Sequence, residues 1–434
     1  SLIAADTEAG SGYGSAIAID GETIVSGAPL HDHGATDTGS TYVFGFPPVV
    51  DFITQIVNGD LLIDHQTVSD SNLSMTISGG QLIVSVVDNL ITAPVGGTQI
   101  DAQTIAVSLS MLTGSTVYLT GGAGTEQVTL DTSLAAAGLR IDYDGDDGSG
   151  EDSIILSGSA DSLSSWMGGS QSGWVRLNEF DLDFLFYSHQ DRMIWDVATA
   201  HLDLNYDNDT QTIDFNADAS GGFQVISGSG PELRVFQIPS TTLNLNSGAG
   251  LDYVNINSVG QDATADLIIT ETRGDDWVEF GNSLDLGSGD LELHVNRATF
   301  GENVTTTGNV HVEAASIFTD STTPLNTGGG NIYFESTGLN LGEIITTGDV
   351  WIDASASIID NNGSSNNITA ARAVILSGSS TNSMETQVGY LEVATVGFVQ
   401  VQNTGDLVIG DAGDLTGIYA RDSTIYVNTT GSLD

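Results

Sequence analysis

An all-β chain built as a parallel β-helix, a β-solenoid of about 20 residues per coil with a short β segment before it, is the fold class that the sequence predicts. Three observations predict it. Short β-branched runs such as Leu61-Leu62-Ile63, Leu82-Ile83-Val84 and Val374-Ile375-Leu376 are bounded by Gly, Asn, Asp or Ser, and apolar residues rarely recur at helical spacing. A turn-plus-strand unit recurs late in the chain: Thr306-Thr307-Gly308-Asn309-Val310, Thr346-Thr347-Gly348-Asp349-Val350 and Asn403-Thr404-Gly405-Asp406-Leu407. The 434 residues include 53 glycines, 7 prolines and no cysteine, with 40% hydrophobic residues, so a large core has to fold without disulfides.

In chain order, residues 1–46 carry two short strand patterns, 16–20 and 39–44, around Gly27-Ala28-Pro29. Residues 47–300 read as an irregular solenoid with Gly/Asp-rich turns at 121–130, 148–156, 208–215, 248–256 and 274–280. Within it, residues 161–200, with Trp166, Trp174 and Trp195, break the rhythm as an insertion or a wider coil, and Ala135-Ala136-Ala137 fit one helical turn. Residues 301–434 hold the regular repeats, with related strands starting near Ile332, Val374, Leu391 and Ile425. A coil of this size cannot bury both ends of its own core, so coils must stack and share one interior. If every residue from about 50 onward joined in, roughly 19 coils would make a rod on the order of 90 Å long.

The charge narrows the partners. Fifty-seven acidic residues face 8 basic ones, all arginine, for a formal net charge of -49. Such a field repels nucleic acid and anionic membrane surfaces and favours divalent counter-cations. No apolar run is long enough for a membrane-spanning helix, and the first residues lack a signal pattern, so an exported mature or internal piece is expected.

Calcium is the cation that the acidic turns suit, because alternating Asp and Gly supply several oxygens on a loop that can bend around a hard ion. The densest cluster is Asp142, Asp144, Asp146, Asp147, Glu151 and Asp152, and a weaker one is Asp203, Asp207, Asp209 and Asp214. Solvated turns whose Asp and Gly serve backbone geometry explain the same residues. His31-Asp32-His33 fits a transition metal or a plain polar loop, and Arg273-Gly274-Asp275 spells an integrin-recognised tripeptide at an expected corner. Trp277 and Trp351 sit in strand patterns that suit core or coil-face packing.

Tyr13-Gly14, the strand 16–20, Gly27-Ala28-Pro29 and the closing 39–44 together resemble one FG-GAP repeat, a β-propeller blade unit found in integrin α-chains and many bacterial surface proteins. The resemblance covers about a tenth of the chain. The family's Asp-x-Asp-x-Asp calcium loop is missing, since only Asp20-Gly21-Glu22 stands there, so that site is not carried over. The remainder resembles the filamentous-haemagglutinin and autotransporter type of β-helix, and its Gly-Asp turns resemble repeats of giant bacterial adhesins. These resemblances imply an extracellular, bacterial cell-surface setting.

Three function classes follow as expectations. The first is a structural stalk or fibre subunit, self-associating head to tail through open solenoid ends. The second is an adhesin that binds a glycan or cell-surface ligand through the solenoid face. The third is a polysaccharide lyase or hydrolase, for which Asp146 with Asp147 and Asp275 with Asp276 supply paired acids. Against catalysis, there is no lysine, no Gly-x-Ser-x-Gly elbow, no phosphate loop and no His-Glu-x-x-His helix, and a non-enzyme is expected.

Overall fold

The computed structural model describes residues 16–20, 23–29, 39–45, 50–67, 69–145, 150–168, 171–178, 183–207, 209–227, 230–261, 263–271, 275–421 and 423–434. His31-Asp32-His33, Tyr13-Gly14, Asp146, Asp147 and Arg273-Gly274 lie outside them. The protein is all-β, with 60% of it in strands. Among the described residues helix is confined to the turn Ser133–Ala136, close to the expected place, and the 3-10 turn Leu109–Met111. Gly, Asn and Asp recur too often for a helix to propagate, and the β-branched runs between them suit a pleated surface.

Two sheets are present among the described residues. The strands Ala16–Asp20, Thr23–Ala28 and Ser40–Gly45 form an antiparallel three-stranded sheet in that order. All later strands, from Phe52–Val57 to Ile425–Thr429, belong to one continuous, nearly closed sheet.

Most pairing in the large sheet is parallel, and its interval changes along the chain. In the C-terminal part, Leu291 pairs with Val310, Val310 with Ile332, Ile332 with Val350, Val350 with Ala373 and Ala373 with Leu391. These intervals run from 18 to 23 residues. Further back the interval is about doubled: Met193 pairs with Leu233, Leu202 with Leu243 and Ile213 with Val254. A uniform 20-residue period over the whole chain is therefore corrected. The reason is local: antiparallel excursions occupy the extra residues, as where Ser162–Gly168 pairs with Ser172–Leu177 and that strand with Leu185–Ser188. Thr212–Ala217, Phe223–Ser227 and Glu232–Val235 repeat the device. The irregularity at 161–200 is thus a hairpin excursion inside the sheet.

The core runs along this sheet because alternate residues point inward. In Leu291–Phe300, residues Leu291, Leu293, Val295, Ala298 and Phe300 are buried. Paired inward positions stack from strand to strand, as where Phe280 and Phe300 lie 5.0 Å apart between ring centroids, and Phe334, from a different register position two strands on, packs against Phe300 within the core at 6.4 Å. Each buried ring of this kind contributes roughly 1.5–3 kcal/mol over an exposed one.

The recurring Gly-Asn/Asp corner is a staircase of hydrogen bonds. The N–H of Asp290 donates to Asp266 Oδ1 (2.8 Å), that of Asn309 to Asp290 Oδ1 (2.6 Å), that of Asn331 to Asn309 Oδ1 (3.0 Å) and that of Asp349 to Asn331 Oδ1 (2.9 Å). Threonine hydroxyls lace the same corner, Thr306 to Gly289 O and Thr346 to Gly330 O, both at 2.5 Å. Glycine precedes the Asx residue because neighbouring turns approach too closely for a side chain: a Cβ on Gly308 would meet Gly289 O and Asp290 Oδ1 at 2.5 Å.

Candidate functional site

The outward face of the regular strands arranges its side chains in columns, because parallel register places equivalent positions about 4.8 Å apart. One column runs Glu292, His311, Tyr333, Trp351, Val374. Two residues further along each strand, a second column runs His294, Glu313, Glu335, Asp353, Leu376. The first is therefore aromatic over three strands and the second carboxylate over the same three. His311 meets Tyr333 edge-on at 4.7 Å, and Tyr333 stacks on Trp351 at 6.4 Å. All three rings are half-buried and border a shallow cleft of about 640 Å³ that Asn309, Asn331 and Asp349 also line.

The carboxylate column is crowded with like charge. At its first position His294 sits between two carboxylates, Nε2 at 2.7 Å from Glu292 Oε1 and Nδ1 at 3.0 Å from Glu313 Oε2. Partial burial works to lower its pKa, but the hydrogen bonds and charges of Glu292 and Glu313 outweigh it and hold the imidazolium above its usual range. Among the described residues no cationic side chain stands within ion-pair distance of Glu335 or Asp353. Partial burial, then the charges of Glu335 and Asp353, push the Tyr333 phenol up.

One end of the aromatic column is closed by residues 411–417. Glu392, fully buried, accepts the N–H of Ala412 (3.3 Å) and Leu415 (2.9 Å) and so pins this segment against Val374 and Trp351.

The acidic residues singled out from sequence are dispersed. Asp142 is half-buried beside Arg140 (3.6 Å), while exposed Asp144 accepts from Ser188 (2.5 Å) and lies 2.8 Å from His189 Nδ1. Glu151 is exposed, 3.7 Å from Arg192. Asp152 instead turns inward. Of the second set, Asp203 accepts from Ser164 (2.7 Å) and Asn244 (2.5 Å) on the flanking strands. Asp207 caps the N–H of exposed Asp209 (3.0 Å), and half-buried Asp214 lies on another strand opposite Asn255. Among the described residues no group of three or more His, Asp or Glu side chains is gathered so as to hold a metal ion. Asp276, one of the paired acids, is buried in the wall, accepting from Ser247 Oγ (2.5 Å) and from the N–H of Asp252 (2.9 Å).

Sequence inspection alone missed a buried polar cluster and the aromatic column. In the cluster, His65 Nδ1 lies 2.8 Å from Glu126 Oε1, with the imidazole stacked on Phe52 at 4.4 Å. Asp152 Oδ1 accepts the N–H of Glu126 (3.0 Å), and Asp191 accepts that of Asp152 (3.0 Å). Burial, then the nearness of Glu126 and Asp191, pushes Asp152 up to about 8. Residues so far apart in sequence leave no local signal. The aromatic column did leave one: aligned on their corners, Val310-His311-Val312-Glu313, Ile332-Tyr333-Phe334-Glu335 and Val350-Trp351-Ile352-Asp353 share an outward aromatic followed by an outward acid.

Comparison with known families matches residues 1–44 to the FG-GAP repeat, a unit typical of extracellular or surface proteins. The matched segment is the one that forms the three-stranded sheet. No curated protein and no solved structure matches the chain. Among the described residues no helix is long and apolar enough to cross a membrane.

Proposed function

We propose that this chain is part of a bacterial extracellular surface protein in which an FG-GAP repeat precedes a parallel β-helix of the filamentous-haemagglutinin type, serving as a stiff stalk or fibre subunit. The observation that carries the proposal is the continuous column of parallel pairs Leu267, Leu291, Val310, Ile332, Val350, Ala373 and Leu391, which makes each turn the template for the next. Stacked Gly-Asx corners and one shared core resist bending in a way that separate domains on linkers do not. The FG-GAP match supports the surface setting.

Head-to-tail stacking is part of this proposal. The strand Ile425–Thr429 pairs on one side, with Val399–Asn403, and Tyr419, Tyr426 and Leu433 are more than half exposed nearby. Strand edges pair readily with other strands, so a rung of a second copy is a fitting partner. Calcium bound at the acidic turns, of which 142–152 is the densest, would relieve the charge of such a rod; this rests on the net charge of -49. Negative-stain microscopy of the purified chain, with and without a chelator, tests the proposal: uniform rods joined end to end support it, and compact single particles at high concentration overturn it.

The second function class, an adhesin, is favoured by one specific observation, the half-exposed His311-Tyr333-Trp351 column beside a cleft. Rings presented in a row at one rung per strand suit stacking on successive sugars of an extended glycan.

A further inference from the structure

We infer that the His311-Tyr333-Trp351 face binds a polysaccharide carrying free amines, an amino-sugar polymer, with its chain running along the stacking direction of the strands. The inference rests on the adhesin function of this face and adds the ligand class.

Geometry sets the direction and the polymer type. Rings and carboxylates each repeat once per strand, about 4.8 Å apart, over the same three strands. That step is close to the length of one sugar ring in an extended glycan. An extended peptide laid the same way would present same-side groups only about every 6.6–6.8 Å and fall out of register within two rungs.

Charge sets the ligand class. Beside the rings stand Glu313, Glu335 and Asp353, at adjacent register positions on three parallel strands. An anionic glycan would be repelled, and a neutral one would leave Glu335 and Asp353 uncompensated, whereas Glu313 already faces His294 and His311. Ammonium groups on sugars beside Tyr333 and Trp351 instead lie between a ring and one of these two carboxylates and gain from both. The first rung shows the same chemistry internally, where His294 lies between Glu292 and Glu313. Of the arginines nearest in register, Arg297 lies over Trp277, and Arg372 is engaged with Asp349 at 3.9 Å and lies over Tyr390.

The test is calorimetric titration of the full chain with a glucosamine hexamer, at a pH where its amines are protonated. The fully N-acetylated hexamer and hexalysine serve as comparison ligands. The amine hexamer is expected to bind about 10-fold or more tightly than the acetylated one. Trp351→Ala should weaken it by about 10-fold, with Trp351→Phe restoring most of the loss, while leaving hexalysine binding unchanged. Glu335→Gln should weaken it several-fold more than Glu302→Gln, which removes the same charge from an exposed loop elsewhere. Equal binding of both sugar hexamers would overturn the amine specificity and leave the adhesin function standing. Binding of neither would overturn both. Binding that ignores Trp351→Ala and falls equally with Glu302→Gln would reduce the effect to attraction between a polyanion and any polycation.

Discussion

Replacing Gly308 by alanine puts one methyl group into the stacked corner, and the structure gives the size of the effect. The new Cβ falls 2.5 Å from both Gly289 O and Asp290 Oδ1 and 2.7 Å from Gly289 C, against 3.4 Å for ordinary contact. Something must move by up to about 0.9 Å, and both oxygens are in use. Asp290 Oδ1 accepts the N–H of Asn309 (2.6 Å), and Gly289 O accepts the Thr306 hydroxyl (2.5 Å). Losing those bonds costs about 1 kcal/mol for the neutral one and about 1.5–3 kcal/mol for the charged acceptor. Overpacking adds about 1–3 kcal/mol, and the stiffer unfolded chain returns about 0.4–1 kcal/mol. A net loss of about 2.5–6.5 kcal/mol is expected, read from the urea midpoint and from amide exchange on the flanking strands Leu291–Phe300 and Val310–Thr319. Gly338→Ala is the control, because a Cβ there meets nothing within 4 Å. If Gly308→Ala came within about 0.5 kcal/mol of Gly338→Ala, the stacked corner would not be a source of stiffness.

Three further outcomes are expected. Asp152, raised to about 8 from 3.8, binds its proton more tightly folded than unfolded, so its contribution is full below about pH 4 and is lost as pH rises through about 8. Stability should therefore fall across that window, and Asp152→Asn, which keeps an oxygen for the Glu126 N–H, should flatten the dependence by on the order of 3 kcal/mol in urea titrations at several pH values. Phe300→Ala should destabilise by about 3–5 kcal/mol because Phe280 and Phe334 are held on either side and cannot close the cavity, whereas outward Tyr333→Ala should cost less than about 1.5 kcal/mol; equal losses would contradict the inside-outside assignment. Calcium at 100 times its dissociation constant should raise stability by about 2.7 kcal/mol in thermal scans, reversed by a chelator and reduced in Asp142→Asn/Asp144→Asn; scans that superimpose would remove calcium from the proposal.

The all-β class, the Gly-Asn/Asp corners and the alternation of buried and outward residues were determined by the sequence itself, because each is a local property. Gly308, Gly330 and Gly348 precede an Asx residue at three successive corners, and Val310, Ile332 and Val350 open the strands that follow them. Such signals need only a few neighbouring residues. The doubled interval between Met193 and Leu233 was not legible, since a hairpin that folds back within a turn has the same strand pattern as one that continues around it.

The candidate site divides in the same way. Acidic turns were visible as composition, but Asp142, Asp144, Glu151 and Asp152 sit close in sequence and still face different partners, because Asp142 and Asp144 belong to one strand while Glu151 and Asp152 lie before the next, Glu151 exposed and Asp152 turned inward. Conversely, His311, Tyr333 and Trp351 lie about 20 residues apart and share one surface, as do His65, Glu126 and Asp152 over longer spans. Sequence set which residues face outward within each strand. Only parallel register, a long-range choice made by stacking one turn on another, decided which outward residues became neighbours.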